Sequence, residues 1–208
     1  MRALLLIDIQ NDFCPGGALA VPHADEVVSV ANRLLALGLP AIATQDWHPP
    51  GHGSFAANHP GAQPFTLAQL AGLPQVLWPV HCVQGTSGAD FHPQLDRSRI
   101  GAVFPKGEDP AIDSYSGFFD NGRRRATGLD AYLRSQRIDQ LLVLGLATDY
   151  CVKATVIDAL DLGYAVQLVV DGCRGVELTA GDSMAARAAM RAAGARETTS
   201  DALLGLTT

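Results

Sequence analysis

The chain has 208 residues, 48% of them apolar and 17% charged, which is enough to bury a full core and too apolar for a disordered polymer. A formal charge of −6 argues against nucleic acid or an anionic membrane as partner. The longest apolar runs, Ala3–Ile7 and Leu141–Leu146, are far too short to span a bilayer.

Taken in chain order, short apolar runs alternate with helical patterns. Ala3–Asp8 reads as a strand ending in a carboxylate, and Asp25–Leu37 as a helix with Val27, Val28, Ala31, Leu34 and Leu35 on one face, stopped by Gly38. Pro40–Thr44 is a second strand, ending in Gln45-Asp46. After a loop rich in Gly, Pro and His, Leu67–Ala71 reads as a short helix, followed by the stretch Val76–Val80. Ile100–Phe104 makes a third strand ending in Pro105-Lys106, and Asp130–Arg137 a helix. Gln140–Gly145 is the fourth strand, running directly into a helix that opens near Asp149 and carries Cys151 in its first turn. Ala165–Val170, a long Ala-rich helix over Gly181–Ala193 and a short strand at Ala195–Thr198 complete the pattern.

Continuous apolar strands separated by helices imply a mostly parallel sheet buried on both faces, hence a three-layer α/β/α fold, read as a single domain over 1–208. Ligands of such sheets collect beyond the carboxyl ends of the strands. Asp8, Asp46, Lys106 and the turn at 146–151 all fall there.

Cys151 is the first chemical candidate. A helix's opening turn has free N–H groups and a positive dipole end, so a thiol there is expected to lose its proton more easily. A carboxylate (Asp8), a cation (Lys106) and a thiol together suit acyl transfer by a cysteine nucleophile. A second constellation is Asp46-Trp47-His48-Pro49-Pro50-Gly51-His52. Residues two apart on an extended chain face one side, so Asp46 and His48 can converge on one ion, with His52 from the loop and His81 from the next segment. One Asp with two or three imidazoles suits Zn²⁺, Mn²⁺ or Fe²⁺ rather than Ca²⁺. Cys82 adjoins His81 and is read as packing; His23, His59 and His92 are read as solvated. The four cysteines (Cys14, Cys82, Cys151 and Cys173) lie far apart without CxxC spacing, so neither a disulfide framework nor a zinc ribbon is indicated. With no signal-peptide pattern at the N-terminus, a cytoplasmic protein is expected.

Seven segments in order then resemble one family. They are Ile7–Phe13, Asp46-Trp47-His48 through Ser54-Phe55, Trp78–Val83, Lys106-Gly107, Tyr115–Phe118, Gly145–Val152 and Asp171–Val176. The chain resembles the nicotinamidases (also called pyrazinamidases) of the isochorismatase-like cysteine hydrolases. The resemblance implies a catalytic triad of Asp8, Lys106 and Cys151. It implies one divalent metal, zinc before manganese or iron, on Asp46, His48 and His81 with His52 as fourth ligand. It implies a pyridine pocket walled by Phe13, Trp78 and Tyr115, a cis Leu146–Ala147 peptide, and an oxyanion hole of the Ala147 and Cys151 N–H groups, Ala147 also lining the pocket. The implied reaction converts nicotinamide, and by ring similarity pyrazinamide, to the acid and ammonia through a thioester, with the ring nitrogen on the metal. The alternatives are a related amidase acting on another small amide, and a non-enzymatic metal-binding or redox-sensing protein. A homo-oligomer is left open.

Overall fold

The computed structural model describes residues 1–206; the last two residues of the expected domain, Thr207 and Thr208, lie outside them. Six parallel strands form the main sheet: β1 (Arg2–Ile7), β2 (Ala41–Asp46), β5 (Ala102–Lys106), β6 (Gln140–Leu146), β7 (Ala165–Arg174) and β8 (Arg196–Thr198). They lie in the order β5-β2-β1-β6-β7-β8. The interior of β1 and β6 is buried on both faces, as their unbroken apolar runs require. Helices α1 (Ala24–Leu35) and α5 (Ser200–Leu204) pack together against β7. Helices α3 (Lys153–Asp161) and α4 (Asp182–Ala192) form a second packed pair, and α2 (Leu129–Ser135) joins that layer where Arg134 bonds the Leu162 carbonyl at the end of α3. The result is the expected three-layer α/β/α architecture. Among the described residues no helix is long and apolar enough to cross a membrane.

From β1 the chain moves one way along the sheet, to β2 and β5; from β6 it moves the other way, to β7 and β8. The order therefore reverses between β1 and β6, and a crevice opens at their carboxyl ends. Asp8 follows β1 and Cys151 lies five residues past the end of β6.

Gly145 allows that junction. It sits at φ 132° beside an irregularity in the β6–β7 register, and a Cβ there would lie 2.1 Å from the Ile7 carbonyl oxygen. Only glycine fits so close an approach. Gly145→Ala is expected to cost at least ~3 kcal/mol, or to prevent folding, checked by thermal unfolding of the purified variant. The same irregularity lets β7 run on to Arg174, pairing Cys173 with Gly145, four residues past the strand end expected at Val170.

One expected element is corrected. Leu67–Ala71 is not a helix: β3 (Leu67–Leu70) pairs antiparallel with β4 (Leu73–Val76) in a separate two-stranded hairpin. Its connection is Ala71-Gly72, both at positive φ (54° and 80°), the conformation of a tight hairpin turn. Ala-Gly after an apolar run reads instead as a helix end, because alanine is a poor marker of a left-handed residue. The terminal helix α5 also has no counterpart in the sequence reading.

Candidate active site

The ends of β1, β2, β5 and β6 each deliver a polar side chain to the crevice. Asp8 adopts φ 48°, a left-handed conformation costing an Asp on the order of 1 kcal/mol, and is fully buried. Its Oδ1 accepts from Thr44 Oγ1 at 2.6 Å. Lys106, the last residue of β5, is 2% exposed and its ammonium sits among four partners. These are Asp8 Oδ2 at 2.9 Å, Asp46 Oδ1 at 2.6 Å, the Ser114 carbonyl at 3.0 Å and Cys151 Sγ at 3.4 Å. The contact with Asp8 Oδ2 is an ion pair without hydrogen-bond geometry, which leaves that oxygen with no hydrogen-bond partner.

Past the Leu146–Ala147 peptide, which is cis, the chain enters a π-type turn at Thr148–Val152, with Val152 N–H donating to the Ala147 carbonyl at 3.0 Å. Cys151 lies on this turn and is buried. The expectation of an easily ionised thiol does not hold for the protein groups alone. Burial pushes the Cys151 thiol well above the ordinary range, Lys106 opposes this, and Asp8 and Asp46 add to it. The gain expected from the helix end is outweighed by desolvation. Burial likewise raises Asp8, against the pull of Lys106. Both members of the pair thus hold a proton more tightly than they would in water.

The second cluster shares Lys106 with the first. Asp46 Oδ2 lies 3.4 Å from His48 Nε2 and 3.6 Å from His81 Nε2. His48 Nδ1 faces the Gly107 carbonyl at 2.9 Å and His81 Nδ1 faces the Pro79 carbonyl at 2.8 Å. Carbonyls only accept, so both rings carry hydrogen on Nδ1 and, when neutral, turn Nε2 lone pairs toward the carboxylate. Three acceptors facing one another call for a cation between them. The electrostatics agree: burial would lower His48, but Asp46 outweighs it and raises it, while Asp46, despite its own burial, is held well below the usual carboxylate range by Lys106 and His48. These three donors, buried and mutually within 4.8 Å, fit a divalent metal ion.

His52 is placed one step aside. Its ring centroid lies 4.3 Å from that of His48, its Nδ1 lies 2.7 Å from Ser54 Oγ, and its buried Nε2 has no partner. It groups with His48 and Asp113 rather than directly with Asp46 and His81, and burial, then His48, lowers it to about 4. Cys82 turns away at φ 46° with its N–H on Asp12 Oδ2 at 2.7 Å, a packed thiol as expected. His23 is exposed, and His59 and His92 are half-buried.

A cleft of about 340 Å³, counting its open mouth, joins the clusters. Phe13, Trp78, Tyr115 and Ala147 line it with Cys151, Asp46, His48 and His81. The structure thus gathers every expected pocket residue at one place. Sequence reading missed Tyr150 and Asp113 on the same wall, Thr44 beneath Asp8, and Gln10. The Gln10 amide clamps both backbone groups of Asp46 at 2.8 Å. Only Gln10, inside the Ile7–Phe13 motif, and Tyr150, inside Gly145–Val152, carried a signal; Asp113 and Thr44 lie outside the motifs.

The family model for the isochorismatase domain matches residues 2–202. The chain belongs to the isochorismatase family. Among the isochorismatase-family proteins it resembles is the nicotinamidase of Escherichia coli K12, 60% identical over 198 residues that cover 93% of this chain and 92% of that protein. A solved nicotinamidase/pyrazinamidase of Acinetobacter baumanii superimposes with a TM-score of 0.94 at 42% identity, covering 97% of both chains. A zinc complex of Pyrococcus horikoshii pyrazinamidase superimposes with a TM-score of 0.77 at 33% identity, covering 95% of this chain and 98% of that one.

Proposed function

We infer that this chain is a nicotinamidase: an amidohydrolase that converts nicotinamide to nicotinate and ammonia, with pyrazinamide as a second substrate. The observation that carries the reading is the convergence of Cys151, Asp8 and Lys106 with an Asp46/His48/His81 donor set on one aromatic cleft. The likeness to the E. coli enzyme supports the substrate.

Asp8 Oδ2, free of hydrogen bonds, takes the Cys151 proton as sulfur adds to the amide carbon. The N–H groups of Ala147 and Cys151 hold the oxyanion; one such donor is worth roughly 2.7–4 kcal/mol of barrier in other enzymes. Asp8 returns the proton to the leaving ammonia, giving a thioester, then activates the water that releases nicotinate. Lys106 balances the thiolate and both carboxylates throughout. Phe13, Trp78 and Tyr115 clasp the ring.

Asp46, His48 and His81 would hold the metal, with His52 beside His48 as the fourth donor; zinc is our reading ahead of manganese or iron, supported by the donor types and the zinc-bound pyrazinamidase. When bound, the ion supplies positive charge and an open position that orients a ring nitrogen. We place the enzyme in the cytoplasm.

Ammonia release from nicotinamide is expected to disappear on chelation and return with added divalent metal. Failure of the fully metallated protein to release ammonia from nicotinamide, while it hydrolyses an aliphatic amide, would move the reading to a related amidase.

A further inference from the structure

The β3–β4 hairpin inverts the usual rule of burial. Of residues 67–76 only Gln75 is buried, at 3% exposure, while Leu67 is 78% exposed and Leu70 and Leu73 are half-covered. Glutamine is among the side chains least often buried, so a hairpin that hides its amide and shows its leucines is not organised around its own core.

The buried Nε2 of Gln75 lies 2.8 Å from the Val76 carbonyl, 2.8 Å from Asp113 Oδ2 and 3.0 Å from the Tyr115 hydroxyl. A carbonyl and a carboxylate only accept, so the atom facing them is the NH₂, which fixes the amide's orientation. Tyr115 oxygen also accepts from Trp78 Nε1 at 3.2 Å. Two amide hydrogens facing three acceptors must share, so Tyr115 oxygen accepts the Trp78 N–H and part of one Gln75 N–H, and its own proton points away from both. Tyr115 and Trp78 both line the pocket, their rings 6.4 Å apart and edge to face; Gln75 reaches Tyr115, which Trp78 bonds from the other side. A second arm runs from Asp113, whose Oδ1 accepts from Ser114 N–H at 2.7 Å, to the Ser114 carbonyl that receives Lys106.

We propose that Gln75 is a positioning residue for substrate recognition: from outside the main sheet it fixes the Tyr115 ring and hydroxyl in the wall that receives the pyridine carboxamide. This rests on the nicotinamidase reading. Gln75 touches no reacting atom, so its loss should weaken ring binding rather than slow the chemical step.

The test uses Gln75→Glu, which keeps the shape but sets a carboxylate against Asp113, and Gln75→Leu. Each is expected to raise KM for nicotinamide about tenfold or more, the size of one lost charge-assisted hydrogen bond, with kcat within ~3-fold and bound metal unchanged. In a Tyr115→Phe background, Gln75→Leu should add less than about twofold, because the two act as one unit. A KM unchanged in Gln75→Glu, or effects that multiply in the double variant, would overturn the proposal. So would a loss confined to kcat, which would assign Gln75 to the Lys106 arm, or loss of the cooperative unfolding transition in both variants, which would assign it to the fold. Nicotinamide affinity measured by Trp fluorescence on Cys151→Ala separates the two levels. A parent that does not bind nicotinamide sinks the substrate reading, whereas a parent that binds and a Gln75→Glu derivative that binds equally sinks only this one.

Discussion

Replacing Cys151 by alanine is expected to lower nicotinamide turnover by at least ~10⁴-fold while leaving metal content and thermal midpoint near those of the parent. Among the described residues Cys151 is the only thiol that lines the cleft: Cys14, Cys82 and Cys173 are buried elsewhere. Burial raises the Cys151 thiol, so the sulfur needs a base to attack, and Asp8 is the carboxyl within reach. Water activated directly by the metal would not need the sulfur. A Cys151→Ala protein that kept more than about one hundredth of parental turnover would therefore replace covalent catalysis with direct hydrolysis. Rapid-quench detection of a thioester on the parent, absent from the variant, provides the positive control.

The amino-acid sequence made the strand ends legible because unbroken apolar runs closed on charged residues: Ala3–Ile7 on Asp8, and Ile100–Phe104 on Pro105-Lys106. Asp46 and His48 were likewise readable from alternation on an extended chain, and their 3.4 Å approach follows from it. The hairpin at Leu67–Val76 was not, since Ala71 in a left-handed turn carries no turn signature and its exposed leucines mimic a short helix. Gln75, Asp113 and Thr44 were invisible for a different reason. They act through contacts between segments 36 to 40 residues apart, and no local periodicity encodes such a pairing. His52 lies between these cases: its proximity to His48 was legible, but its grouping with Asp113 came from the fold. The easier ionisation expected of Cys151 came from its helix end, which is visible in sequence, whereas the desolvation that opposes it is not.

Lys106→Met is expected to abolish turnover and also to destabilise the metal-free protein by about 3–5 kcal/mol, a fall of roughly 6–20 °C in its unfolding midpoint. Both effects come from the same four contacts. The ammonium is the single buried cation set between Asp8 and Asp46, and a thioether of similar length leaves two carboxylates facing each other without it. Desolvation of an unpaired buried charge, rather than loss of a favourable bond, sets that cost. Added divalent metal should recover part of the stability, because a dication on Asp46, His48 and His81 supplies counter-charge to the same carboxylates. It should not recover activity, since Lys106 Nζ, 3.4 Å from Cys151 Sγ, is the charge that meets the developing thiolate. Thermal unfolding with and without metal, paired with ammonia release at a temperature where the variant is folded, reads both quantities. If the metal-loaded variant were folded and within tenfold of parental turnover, Lys106 would be a structural ion-pair partner only. Catalysis would then rest on Asp8 and Cys151 alone.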